Sequence, residues 1–173
     1  MKKSIIIYGI IAGAITASWF IISLAIYKGN EEKQFENGMW YGYASMLLAF
    51  SLIFVCIKNF RDKHNQGFIS FGQAFKIGLF ITLIASTIYV VSWLIDYYFF
   101  IPDFMQKYSA IMINKMKAEG ASQAEISKKT IEMAEFNKMY QNPFFNALLT
   151  YAEIFPVGLI VTLISSLILK KNQ

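Results

Sequence analysis

The pattern of hydrophobic and polar positions is clearest in residues 70–101, where Lys76 and Asp96 are the only charged side chains. Between them, residues 77–95 form an uncharged run of 19 residues. A helix needs about 20 apolar residues, each rising 1.5 Å, to cross a hydrocarbon core of about 30 Å. The pattern therefore predicts a membrane-spanning helix over residues 71–101.

Three further runs predict three more spans. Residues 4–27 and 37–57 carry no charge, and residues 143–169 carry only Glu153. Each run is long enough to cross a bilayer as a helix. The first could imitate a secretory signal, with the small residues 12–14 as its cleavage site, but it continues well past them, so we expect a retained helix.

Residues 102–142 are different in kind, because they hold six lysines and five acidic residues in 41 positions. Met105, Met112 and Met116 lie on one side of a helical repeat, and Gly120 is a typical helix end. Ser122 followed by Glu125 then has the form of a capping box. This segment is predicted to be a pair of amphipathic helices between the third and fourth spans.

Small and polar residues recur along all four apolar runs at alternating steps of four and three residues. In lipid, helices associate through close backbone approach at small residues and through interhelical hydrogen bonds. The repeat therefore predicts an all-α integral membrane protein, a left-handed four-transmembrane-helix bundle with an extracytoplasmic amphipathic helical pair. The glycines expected to pack the helices are Gly9, Gly13, Gly38, Gly42, Gly78 and Gly158.

Composition supports one membrane domain over residues 1–173. The chain is 56% hydrophobic with a mean hydropathy of +0.45, above the 45–50% or so of ordinary soluble domains. Its net charge of +5 comes from lysines that flank the apolar runs and form no continuous basic face, which argues against nucleic acid as a partner. Their density near the helix ends predicts cytoplasmic termini and a helical pair on the outer side of the membrane.

The residue inventory gives little support to enzyme chemistry. Cys56 is the only cysteine and His64 the only histidine, which excludes an intrachain disulfide, a thiolate cluster and a histidine pair for a metal. The glycines do not have the spacing of a phosphate-binding loop. We therefore expect no enzymatic activity, no cofactor and no metal.

Two acidic side chains lie inside apolar runs, Asp96 and Glu153. An ionised carboxylate in hydrocarbon costs about 2.5 kcal/mol or more, so intramembrane acids are candidate functional residues. Both are estimated to lie at similar depth near the outer boundary, where they could form an ion or proton site lined by Ser92, Tyr89 and Tyr151. Alternatively, Asp96 simply reaches the outer interface, and Glu153 is not guaranteed to face inward.

Two sequence stretches resemble a known family. Residues 57–62 (IKNFRD) and 67–78 (GFISFGQAFKIG), together with Tyr8 and Gly9, are similar to a bacterial family of four-helix membrane proteins, the domain of unknown function numbered 4199. The likeness spans nearly the whole chain. It implies a bacterial inner-membrane protein, and it carries over no catalytic or binding residue.

Two classes of function remain open. The favoured one is a non-enzymatic accessory or interaction protein of the inner membrane, which contacts the lipid bilayer and a membrane-protein partner or a second copy of itself. In that case the methionine-rich stripes of the external helices dock on the bilayer surface or on the partner. The alternative is a small proton- or cation-coupled transporter or channel, oligomeric, that uses Asp96 and Glu153.

Overall fold

The computed structural model describes residues 2–27 and 31–171, and in these residues it contains six helices and no strand. They are α1 (Lys2–Ile26), α2 (Glu31–His64), α3 (Phe71–Phe99), α4 (Phe104–Ala118), α5 (Gln123–Tyr140) and α6 (Pro143–Leu169). By length and composition α1, α2, α3 and α6 could each cross a membrane. The predicted all-α membrane architecture is confirmed.

The helix starts follow the chemistry of their capping residues. Ser70 and Ser122 each accept a hydrogen bond from the backbone three residues on, while Gln73 and Glu125 reach back to the cap, forming two capping boxes. Asn142 accepts from the backbone of the first turn of α6, with Pro143 as the first helical residue. These bonds satisfy amide groups that a helix start would otherwise leave unpaired.

Two helices continue past residues that often end a helix. Beyond residue 57, where its uncharged run ends, α2 continues as a helix through the basic segment to His64. Lysine and arginine are good helix formers and suit the negative end of the helix dipole. Proline often kinks or ends a helix, yet α6 continues through Pro156 to Leu169.

The four long helices pack side by side, and α3 contacts each of the other three. Residues on α2, α3 and α6 meet closely at glycines, where side chains of a neighbouring helix lie directly against the glycine backbone. A Cβ atom on Gly78 would lie 2.6 Å from a Thr162 methyl, and one on Gly158 would lie 2.5 Å from a Thr82 methyl. These distances are shorter than a normal van der Waals contact, so the helices could not pack this closely if either glycine carried a side chain.

Helices α4 and α5, which we call the cap, fold across the end of the molecule where α3 ends and α6 begins. In α4 Met105 is buried, and Met112 and Met116 are half-buried. In α5 Ile126 is buried. Since α4 and α5 contact each other, much of the predicted methionine stripe is covered within the cap itself.

The opposite end of the molecule, which we call the basic end, holds the start of α1 and the ends of α2 and α6. A short turn over residues 65–70 joins α2 to α3, and Gly67 adopts a φ of 85°, a conformation that favours glycine. Ile69 exchanges two backbone hydrogen bonds with Lys171. Arg61 donates to the carbonyl of Leu169 at 3.3 Å. These bonds tie the end of α6 to the end of α2 and to the turn that follows it.

Candidate functional site beneath the cap

A hydrogen-bond network joins the cap to the long helices. The indole N–H of Trp93 on α3 donates to the Tyr140 hydroxyl of α5 at 2.9 Å and to Oδ1 of Asn146 on α6 at 3.0 Å. The Thr150 hydroxyl donates to the Asn146 backbone carbonyl at 2.8 Å and to its Oδ1 at 3.3 Å. One indole group therefore connects three helices, a role that the sequence did not reveal.

Aromatic rings surround this network. Trp93 lies 5.1 Å from Phe104 in an edge-to-face arrangement and 5.4 Å from Phe20 of α1. Tyr97 meets Tyr140 edge to face at 5.2 Å. Ring pairs at such separations stabilise the folded state by more than the burial of their apolar area alone would. Aromatic rings of α1 and α3 thus pack with rings of the cap helices α4 and α5.

Asn146 is the most enclosed polar side chain of this region, with no solvent-exposed surface. Its Oδ1 accepts two hydrogen bonds, whereas its Nδ2 has no acceptor within hydrogen-bonding geometry among the described residues. A buried amide without an acceptor is costly. The sequence does offer a weak signal for this residue, because an asparagine one turn inside an apolar span requires partners.

Tyr140 lies outside the spans, and its environment differs from that of a solvated tyrosine. Burial raises the pKa of Tyr140 to about 12, while the hydrogen bond from Trp93 opposes the shift and the charge of Glu153 adds to it. The pKa rises because the phenolate would lose its hydration beneath the cap. The Tyr140 hydroxyl is therefore neutral over the whole physiological pH range, and its oxygen accepts the hydrogen bond from the Trp93 indole.

The two predicted carboxylates lie in unlike surroundings. Asp96 is 9% exposed, three residues from the end of α3 and next to Tyr97, which is also buried. Glu153 is an exposed residue ten positions after the start of α6. Asp96 therefore faces the packed interior near the cap, whereas Glu153 lies on the flank of its helix.

Contacts between α3 and α6 fix their register. Gly158 faces Thr82, the hydroxyls of Thr87 and Tyr151 are hydrogen bonded, and Trp93 binds Asn146. Glu153 of α6 therefore lies near the level of Thr87 on α3. Thr87 precedes Asp96 by nine residues, so Glu153 and Asp96 are separated along the helix axis by about 13 Å of helical rise. The register does not bring Asp96 and Glu153 into one layer, because Glu153 lies deeper in α6 than Asp96 lies in α3.

The predicted lining residues are also distributed over different places. Tyr89 is buried and packs against Phe20, with ring centroids 4.9 Å apart. Ser92 is half-buried on α3. Tyr151 lies at the α3–α6 contact through its bond to Thr87, about 200° around the helix from Glu153. Tyr89 thus lies at the contact of α3 with α1, and Tyr151 at the contact of α3 with α6.

The glycines predicted to pack the helices fall into two groups. A Cβ on Gly9 would lie 2.8 Å from Ile84, and one on Gly13 would lie 2.8 Å from Ile88. These two belong with Gly78 and Gly158 as sites of close approach. A Cβ on Gly38 would meet nothing within 4 Å, and one on Gly42 only Trp19 at 3.8 Å.

The described part of the chain offers no group of three or more histidine, cysteine, aspartate or glutamate side chains that could hold a metal ion. What the region beneath the cap provides instead is a donor–acceptor network in an aromatic shell. Such a network positions helices; it has no nucleophile beside a base. The arrangement is suited to fixing the cap relative to the spans.

An all-α fold with four helices long and apolar enough to span defines a multi-pass membrane protein. Within that class, the family model described as Protein of unknown function (DUF4199) matches residues 7–171. The chain belongs to this family, which confirms the resemblance seen in its sequence. No curated protein and no solved structure gives a significant match.

Proposed function

We propose that this chain is a non-enzymatic accessory or interaction protein of the bacterial inner membrane, in which four spans anchor the cap and the cap contacts a partner protein. The observation that carries the proposal is the Trp93 indole, bonded at once to Tyr140 of the cap and Asn146 of α6. A cap held in this way keeps a fixed orientation relative to the membrane. A surface held in a fixed orientation favours docking, because less conformational entropy is lost when the partner binds.

The charge pattern of the cap supports the same function. Its outward-facing side carries Lys128, Glu135 and Lys138, and among them Ile131 is 63% exposed. An apolar residue within a ring of charges is a common feature of protein interfaces, where an anchor side chain is surrounded by a polar rim. The termini would lie in the cytoplasm and the cap outside, as the lysine distribution favours.

The alternative function as a transporter or channel has weaker support. It requires Asp96 and Glu153 to serve one ion or proton, and the α3–α6 register separates them by about 13 Å of helical rise. A buried acid and an exposed acid can each have a structural role. We therefore do not carry the transport hypothesis further.

Site-specific photocrosslinking in intact membranes tests the proposal. A photoreactive residue at position 131 on the cap is expected to give a discrete protein adduct. The matched position 164 on α6, where Ile164 is 52% exposed on a span, is expected to give lipid adducts. Reversing the charges of Lys128 and Lys138 should abolish the protein adduct. Equal adducts at both positions, or none sensitive to charge reversal, would exclude a specific partner surface on the cap.

A further inference from the structure

A cavity of about 190 Å³ opens at the basic end between α1 and α2, away from the cap and its network. Its polar lining consists of Ser4 and Tyr8 from α1 and of Asn59, Lys63 and His64 from α2. The sequence does not reveal it, because its polar residues on α1 lie more than 50 positions from those on α2 and meet them only when the two helices pack together.

The hydrogen bonds in this cavity leave donors available. Nδ2 of Asn59 donates to the Tyr8 hydroxyl oxygen at 3.0 Å, so the Tyr8 O–H can itself donate to a further acceptor. Lys63 is exposed and Ser4 half-exposed, and both line the cavity. His64 stacks on Phe60, with ring centroids 6.2 Å apart and an interplanar angle of 6°. The stacking fixes the imidazole at the edge of the cavity.

Among the residues that the structure describes, no acidic side chain lines this cavity. The nearest acid along α2 is Asp62, whose carboxylate is bonded to Arg61 at 2.7 Å. A cavity with an ammonium group and hydroxyl donors, and without a carboxylate, is suited to an anion with several acceptor oxygens. Phosphate has this chemistry.

The position of the cavity indicates how the phosphate would arrive. It lies beside the last turns of α2, among the basic residues that end the apolar runs. One turn further into the spans, Ile11 of α1 is 45% exposed and Val55 of α2 is 41% exposed. Polar donors above a pair of exposed apolar side chains match a lipid, with its headgroup at the interface and its acyl chains along the helices.

We propose that the cavity between α1 and α2 binds the phosphate headgroup of an anionic phospholipid, with Lys63 and the Tyr8 hydroxyl as its main donors. The bound lipid would lie across the α1–α2 contact and stabilise it. Because the cavity is at the basic end, this site is independent of the partner surface proposed on the cap. Failure of either proposal leaves the other intact.

Native mass spectrometry of the full chain in mild detergent tests this site, with phosphatidylglycerol and phosphatidylcholine added in equal amounts. The wild type is expected to retain phosphatidylglycerol preferentially. Lys63→Gln should reduce that retention about fivefold, as expected for the loss of one cation near a lipid phosphate. Tyr8→Phe, which keeps the ring and removes only the hydroxyl, should also reduce it.

Lys58→Gln is the matched control, because it removes the same charge from the same end of α2 without altering the cavity lining. Lys58→Gln should leave the retention of phosphatidylglycerol unchanged. If it reduced retention as much as Lys63→Gln does, the lipid would be attracted to the basic residues in general, and the proposal would be overturned. Absence of any preference for phosphatidylglycerol would also overturn it. A further sample receives inorganic phosphate at the concentration of the lipid. Displacement of the lipid by it would identify a soluble-anion site and contradict the lipid assignment.

Discussion

The hydroxyl groups of Thr82 and Thr162 lie 3.2 Å apart in the buried contact between α3 and α6. Each threonine also covers a glycine of the opposite helix, since the Thr82 methyl faces Gly158 and the Thr162 methyl faces Gly78. This reciprocal arrangement combines close backbone approach with an interhelical hydrogen bond. Both are the interactions that hold helices together where lipid removes the hydrophobic driving force.

Gly158→Ala should destabilise the protein by about 1–3 kcal/mol, the usual cost of overpacking. The added methyl would lie 2.5 Å from Thr82 and 2.8 Å from the Phe50 ring. The matched control is Gly38→Ala, where a Cβ meets nothing within 4 Å, and alanine should be neutral or favourable in the helix. Unfolding in mixed detergent micelles measures both. Equal effects of the two substitutions would show that α6 does not pack at Gly158 as described.

Trp93→Phe should loosen the cap. The substitution removes the indole N–H that donates hydrogen bonds to both Tyr140 and Asn146. Leaving a buried acceptor unpaired lowers the free energy of unfolding by about 1–3 kcal/mol. Hydrogen exchange of α4 and α5 should become faster while α1 and α2 keep their protection. Trp40→Phe is the control, since Trp40 is 71% exposed on α2. If the cap peptides exchange alike in both variants, the indole does not hold the cap.

Tyr140 should make the protein sensitive to alkali. Because burial raises its pKa to about 12 in the folded chain, its contribution to stability is fully present below the ordinary value of about 10 and is lost between pH 10 and 12. Absorbance titration of tyrosinate should show one fewer late-titrating group in Tyr140→Phe than in the wild type. Loss of a group that titrates near the ordinary value of about 10 would instead mean that Tyr140 is solvated.

Asp96 and Glu153 should act independently. Groups that share no partner and lie more than about 10 Å apart give mutational effects that add to within about 0.5 kcal/mol. Asp96→Asn, Glu153→Gln and the double variant form the required cycle, with unfolding free energy as the measurement. A coupling well above that limit would place the two carboxyls in one site and revive the transport hypothesis.

Much of the fold follows from local rules that the sequence displays. The capping boxes at Ser70 and Ser122, the break at Gly120 and the start at Pro143 are each determined by neighbouring residues, and the structure has them all. The end of α2 does not follow from the apolar run, because charged residues end that run at residue 57 while the helix continues to His64.

The region beneath the cap depends on contacts between distant segments. Trp93 and Tyr140 are 47 positions apart, and Tyr8 and Asn59 are 51 apart. Apolar periodicity identifies the face that packs but not the axial register between two helices. For that reason Asp96 and Glu153 could be singled out as unusual, while their separation could be read only from the contacts of Thr87 and Trp93.

The side of the membrane on which the cap lies decides whether an external partner can reach it, and cysteine labelling in intact cells measures this directly. Cys56 is replaced by alanine, and a single cysteine is introduced in place of Lys128 on the cap or Lys58 at the basic end, both exposed positions. An impermeant reagent should label position 128 in intact cells and position 58 only after the membrane is broken. Labelling of position 58 alone, or of both positions, in intact cells would contradict an external cap on four spans.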